Sequence, residues 1–187
     1  MRLTGKALLA AGAVAVAVAV VVGGAVFWQS RRFTNAPDGF GGLRLGMTIA
    51  EAEQVGLDPW GSNYPPPESL KVFKMKGQPV TFNGAAAEST ATFLRGVLDA
   101  IDFSYGACPG GLFDAFKSLY GGGYKKEEFP NDVSYEWQNE KVTVFFIHSK
   151  YSNGEYCSAK IADSKLLESH RKIMMEWIGP SQSMSNQ

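Results

Sequence analysis

The chain has 187 residues, 18 basic and 18 acidic, 45% hydrophobic types and two cysteines, enough for one ordinary domain. Residues 1–32 hold Arg2, Lys6, Arg31 and Arg32 and no acid, so the other 155 residues carry 14 basic against 18 acidic side chains, a net charge of −4. Such a balance argues against nucleic acid as a partner, and two cysteines with two histidines are too few to expect a disulfide-scaffolded miniprotein or a zinc site built mainly from thiolates.

Residues 7–28 form a run of 22 without a charge, which as a helix would span about 33 Å, against about 30 Å for a hydrocarbon core. Trp28, Arg31 and Arg32 follow it as an interface anchor, and the run is longer than the apolar core of a cleaved signal peptide. The expectation is an uncleaved transmembrane anchor over residues 1–32 in a bacterial inner membrane, single-pass, with the C-terminal domain periplasmic. A cleaved signal and a cytoplasm-facing accessory subunit are the alternatives. Ala11, Ala15, Ala19 and Gly23 recur every four residues, a stripe that would permit helix self-association, although a segment so rich in alanine produces such stripes on many faces.

Residues 33–42 read as a polar, glycine-rich linker, and the domain is expected over residues 43–179 with a polar tail at 180–187. Thr48 and Glu51 stand at capping-box spacing, predicting a short helix over residues 49–55 that stops at Gly56. Residues 57–69 contain four prolines and read as one irregular loop. Its Trp60, Tyr64, Pro65, Pro66 and Pro67 are candidates for partner contact, weighed against Trp60 simply pinning the loop to the core.

Strands are predicted at 71–75, 80–82, 89–95 and 97–105, separated by turn residues. Strict alternation in the last of these puts Asp99 and Asp102 on opposite faces, which removes the most tempting carboxylate pair. A helix over residues 112–120 follows, ending at Gly121-Gly122-Gly123, which terminates a helix rather than cradling phosphate. Lys125-Lys126-Glu127-Glu128 reads as a solvated charge run in a loop. Three more strands are expected at 133–138, 141–148 and 155–162. A final helix, capped by Asp163 or Ser164, carries Leu166, Leu167, Ile173, Met174, Trp177 and Ile178 on one stripe and ends at Gly179-Pro180. The fold class is therefore α+β: an antiparallel sheet of about six or seven strands packed by two short helices and a C-terminal helix.

Cys108 and Cys157 are expected to form a disulfide in an exported protein, with free buried thiols as the alternative. His148 ends an apolar strand and His170 shares a helical face with Leu166 and Trp177, so core or edge roles are expected, with no metal, no cofactor and no catalytic residue assigned. Residues 40–52, Phe-Gly-Gly-Leu-Arg-Leu-Gly-Met-Thr-Ile-Ala-Glu-Ala, resemble the "GMT-x-x-E" opening of small bacterial envelope α/β domains, among them the SmpA/OmlA-like lipoproteins and the β-lactamase-inhibitor-like domains. The lipid-modified cysteine of the lipoproteins is missing, and Ala52 stands where the motif has valine. The resemblance implies a non-enzymatic binding module of the envelope, with another envelope or membrane protein as partner. A small hydrolase or thiol-dependent enzyme using Cys108, His148 or Asp102 is the rival.

Overall fold

A computed structural model of the chain describes Phe33 and residues 35–60, 67–76, 80–82 and 84–183. A two-strand ribbon, β1 (Gly39–Phe40) with β2 (Leu43–Arg44), leads into helix α1 (Ile49–Glu53). Both halves of the capping box form there: the Glu51 amide donates to Thr48 Oγ1 at 3.4 Å and the Thr48 amide to Glu51 Oε2 at 2.8 Å. Then come β3 (Leu57–Pro59), β4 (Leu70–Met75), β5 (Val80–Phe82), β6 (Ala85–Leu94) and β7 (Val97–Tyr105), and helix α2 (Leu112–Tyr120). Strands β8 (Lys125–Glu128), β9 (Asp132–Gln138), β10 (Val142–Tyr151) and β11 (Gly154–Asp163) precede helix α3 (Leu167–Ser183).

The molecule is mostly β, which corrects the α+β expectation of six or seven strands: eight strands form one antiparallel sheet in the order β3-β4-β6-β7-β11-β10-β9-β8, with β5 alongside the start of β6. The two strands of this sheet not expected from the sequence are the two outermost, and the reason is physical. At an edge one row of backbone groups faces solvent, so Pro59 costs no ladder bond and a run of charges guards against pairing with another chain. Residues 125–128 are exposed throughout, with Lys125 Nζ 2.6 Å from Glu127 Oε1 and Lys126 paired to Glu128. What reads as a loop from its charge is thus a protected strand.

Two further expectations are corrected. Helix α3 continues past Gly179-Pro180 to Ser183, a proline so near the end forfeiting few intrahelical bonds. The membrane and transmembrane-helix expectation also fails among the described residues, where no helix is long and apolar enough to cross a membrane. The longest, α3, has 17 residues, about 25 Å, and carries Glu168, Arg171, Lys172 and Glu176. The segment on which that expectation was built, with Ala11, Ala15, Ala19, Gly23, Trp28, Arg31 and Arg32, lies outside the described residues.

One face of the sheet holds the main core. Phe93, Leu98, Ile101, Phe103, Val144, Phe146 and Ile161 pack against Leu112, Phe116 and Tyr120 of α2, with Trp137 fully buried among them. The Trp137 indole N–H donates to the Gly121 carbonyl at 2.8 Å, so the glycine run ends α2 and offers a hydrogen-bond acceptor to the core. Burial pushes the Tyr105 and Tyr120 hydroxyls up to about 12. The opposite face carries Val72, Thr90, Thr92, Asp102, Phe145, Ile147 and Lys160, and α3 lies over it.

Candidate functional site

Pairing between β6 and β7 steps from Thr92 opposite Ala100 to Phe93 opposite Leu98, so Asp99 is one extra residue, the mark of a β-bulge. Alternation breaks at that point. Leu98 joins Ile101 in the core on the α2 side, and the Asp99 carboxylate turns to the α3 side, where Asp102 also points. The expectation that the two aspartates lie on opposite faces is therefore wrong, because the period of two holds only while the register is unbroken.

Helix α3 sets Leu167, His170, Arg171 and Met174 at three- and four-residue spacing, hence on the side facing the sheet. His170 Nδ1 pairs with Asp99 Oδ2 in a contact 71 residues apart in sequence. Both groups are buried, with side chains 9% and 2% exposed. An ionised carboxylate offers only lone pairs, so Nδ1 is then the donor and the ring orientation is fixed. Asp99 Oδ1 is buried without a hydrogen-bond partner among the described residues. A buried polar atom left without a partner costs free energy, so its presence calls for an explanation beyond packing.

Two clefts open beside this pair. The larger, about 340 Å³, runs between α3 and the sheet along Phe145, Ile147, Leu167, Arg171 and Met174. The second, about 200 Å³, continues toward β4 and β6 along Trp60, Leu70, Val72, Thr90 and Thr92. Asp102, Lys160, His170 and Met174 line both, so they form the shared floor. Lys160 Nζ sits 3.0 Å from Asp102 Oδ1, half-exposed, which leaves ammonium donors for another acceptor. The arrangement is an apolar trough with a few polar groups converging at its middle, the usual composition of a small-molecule site.

The residues singled out from sequence are scattered by comparison. Trp60 lies on the rim of the second cleft, 37% exposed, its amide donating to the Val72 carbonyl at 3.3 Å. Pro67 is half-buried and its carbonyl accepts from Leu70, whereas Tyr64, Pro65 and Pro66 lie outside the described residues. Cys108 and Cys157 are joined in a disulfide, with Cα atoms 4.8 Å apart, on the α2 side of the sheet and away from the cleft. His148 stands directly opposite Cys157 across β10 and β11, its Nε2 3.0 Å from Glu155 Oε2. Hydrogen bonds from Lys150 and His148 hold the Glu155 carboxyl below the usual carboxylate range.

The Asp99–His170 pair escaped sequence reasoning because it depends on the bulge. Its one sequence signal was a histidine on the apolar stripe of an amphipathic helix, which ordinarily marks a core position. Comparison of the chain with protein-family models, curated proteins and solved structures finds no match in any of the three.

Proposed function

We propose that this protein is a ligand-binding module that works outside the cytoplasm and holds a small apolar acid in the cleft between α3 and the sheet. The observation that carries the reading is the floor shared by the two clefts: His170, its ring held by the buried Asp99, with Met174 and a partly exposed Lys160 that shares its ammonium with Asp102 at 3.0 Å. Apolar walls from Phe145, Ile147, Val72 and Met174 suit a hydrocarbon or aromatic body. Lys160 supplies a cation for its acidic group, and Arg171, 3.8 Å from Glu168 at the helix surface, adds positive charge at the rim. Asp99 fixes the His170 ring, so the imidazole meets a ligand with little orientational freedom left to lose.

Placement outside the cytoplasm is supported by the Cys108–Cys157 disulfide, a bond that oxidising compartments preserve and cytosolic thiol pools reduce. The likeness of residues 40–52 to envelope domains points the same way.

Titration with anilinonaphthalene sulfonate, an aromatic body bearing one anionic group, tests the proposal. Folded wild-type protein should show saturable enhancement of the dye's fluorescence. Lys160→Glu should weaken binding by about tenfold or more, the cost of about 1.4 kcal/mol for exchanging attraction for repulsion at the anion. Trp60→Ala, at the rim, should weaken it less. Saturation unchanged by Lys160→Glu, or no saturable binding at all, would sink the proposal.

A further inference from the structure

A second cluster of chemically capable side chains lies on the α2 side of the sheet. The ligand atoms of Cys108, His148 and Cys157 all lie within 4.8 Å of one another. Two sulfurs and an imidazole nitrogen around a tetrahedral zinc ion, at about 2.3 and 2.0–2.1 Å from the metal, stand about 3.5–3.8 Å apart. The sulfurs, bonded to each other in the disulfide, must part to reach that spacing, and the backbone keeps both close to the imidazole. His148 and Cys157 are direct partners in the β10–β11 ladder, and the Cys108 amide donates to the Glu155 carbonyl at 3.0 Å, tying the loop before α2 to the same strand. Glu155 Oε2, 3.0 Å from His148 Nε2, makes the carboxylate–histidine contact that orients ligating imidazoles and raises their basicity. Access comes through Cys108 and His148, both half-buried, while Cys157 is buried at 3% exposure.

We infer that Cys108, Cys157 and His148 form a redox-gated site for a borderline-soft divalent cation of the zinc type, closed while the disulfide stands and opened by its reduction. A dithiol reductant delivers two electrons and two protons to the disulfide, leaving two protein thiols and the reductant's own disulfide. The cation then displaces both thiol protons to water, forming two metal–sulfur bonds and one bond to a His148 nitrogen, with a water in the fourth position. A donor set of two sulfurs and one nitrogen favours zinc-like ions over magnesium or calcium, which prefer oxygen. Neither the apolar-acid cleft nor its ligand enters this site, so the two readings stand or fall separately.

The test uses the full chain with Co2+ as a spectroscopic probe of tetrahedral thiolate ligation. After reduction by a dithiol and removal of excess reductant, one Co2+ per chain should bind with a thiolate-to-cobalt charge-transfer band and visible ligand-field bands. The oxidised chain should show neither. His148→Ala should weaken Co2+ binding at least about tenfold, and Glu155→Gln, which removes the carboxylate charge from the imidazole, about 10- to 100-fold. Circular dichroism of the reduced chain provides the folding control. If reduction unfolds the chain, Co2+ should restore the spectrum of the wild type and leave a Cys108→Ser, Cys157→Ser variant unchanged. The inference is overturned if the reduced chain gives no charge-transfer band, if His148→Ala binds Co2+ as wild type does, or if the oxidised chain binds it equally well.

Discussion

Replacing His170 by alanine should destabilise the domain by about 2–3 kcal/mol, the cost of leaving a buried polar group without its hydrogen-bond partner. The structure sets this at the upper end of single-substitution effects. Asp99 is 2% exposed, and its Oδ1 already lacks a partner among the described residues, so losing His170 leaves the second oxygen unpaired as well. Removing both groups has a different consequence. In an Asp99→Val, His170→Leu variant no buried polar group of the pair remains to be left unpaired, and stability should return to within about 1 kcal/mol of wild type or exceed it. Urea unfolding of wild type, Asp99→Val, His170→Leu and the double variant, followed by far-ultraviolet circular dichroism, gives the coupling as a double-mutant cycle, expected at about 2–3 kcal/mol. A His170→Ala cost below about 1 kcal/mol, or single-variant costs that simply add, would refute the reasoning that the pair is a costly buried device. The double variant also separates stability from function, because it should fold well and yet bind the dye more weakly, its oriented imidazole being gone from the cleft lining.

Three further outcomes follow from the same geometry. Cys108→Ser, Cys157→Ser should lose about 4 kcal/mol in urea unfolding, the chain-entropy value for a loop closed across 49 positions; a loss under about 1 kcal/mol would contradict it. Tyr105 and Tyr120 are held to about 12 against an ordinary 10.0, so the unfolded chain releases these protons first and stability, full below pH 10, should fall as pH rises from 10 toward 12. Phenylalanine at both positions should flatten that fall, which urea midpoints across the range would measure. Replacing Lys125, Lys126, Glu127 and Glu128 with threonine should convert β8 into an unguarded edge and produce concentration-dependent association in sedimentation velocity; a monomer at all concentrations would show that the charges do not protect it.

Much of the fold was legible wherever one local rule decided the outcome. Thr48 and Glu51 formed their capping box because both partners lie within one turn. Helix α2 runs over residues 112–120 as its apolar spacing and terminal glycines dictate, and β7 covers residues 97–105. The edge strands were hidden because propensity reads Pro59 and the lysine–glutamate run as loop, while an edge tolerates both. The cleft was hidden for a deeper reason. One inserted residue at Asp99 reverses the face of everything before it, and no local pattern in residues 97–105 announces that the partner strand lacks a matching residue. Asp99 and His170 then meet across 71 positions, a distance over which neither helical nor strand periodicity carries information.

The central claim is that the trough between α3 and the sheet is the binding site, and the most direct measurement is a crystal structure of the protein grown with anilinonaphthalene sulfonate. The account predicts the sulfonate within hydrogen-bond distance of Lys160 Nζ, with the aromatic rings against Met174 and Phe145. Dye seated on the exposed Tyr151 and Tyr156 rings or in the apolar gap beneath α2, with the trough left to water, would contradict it.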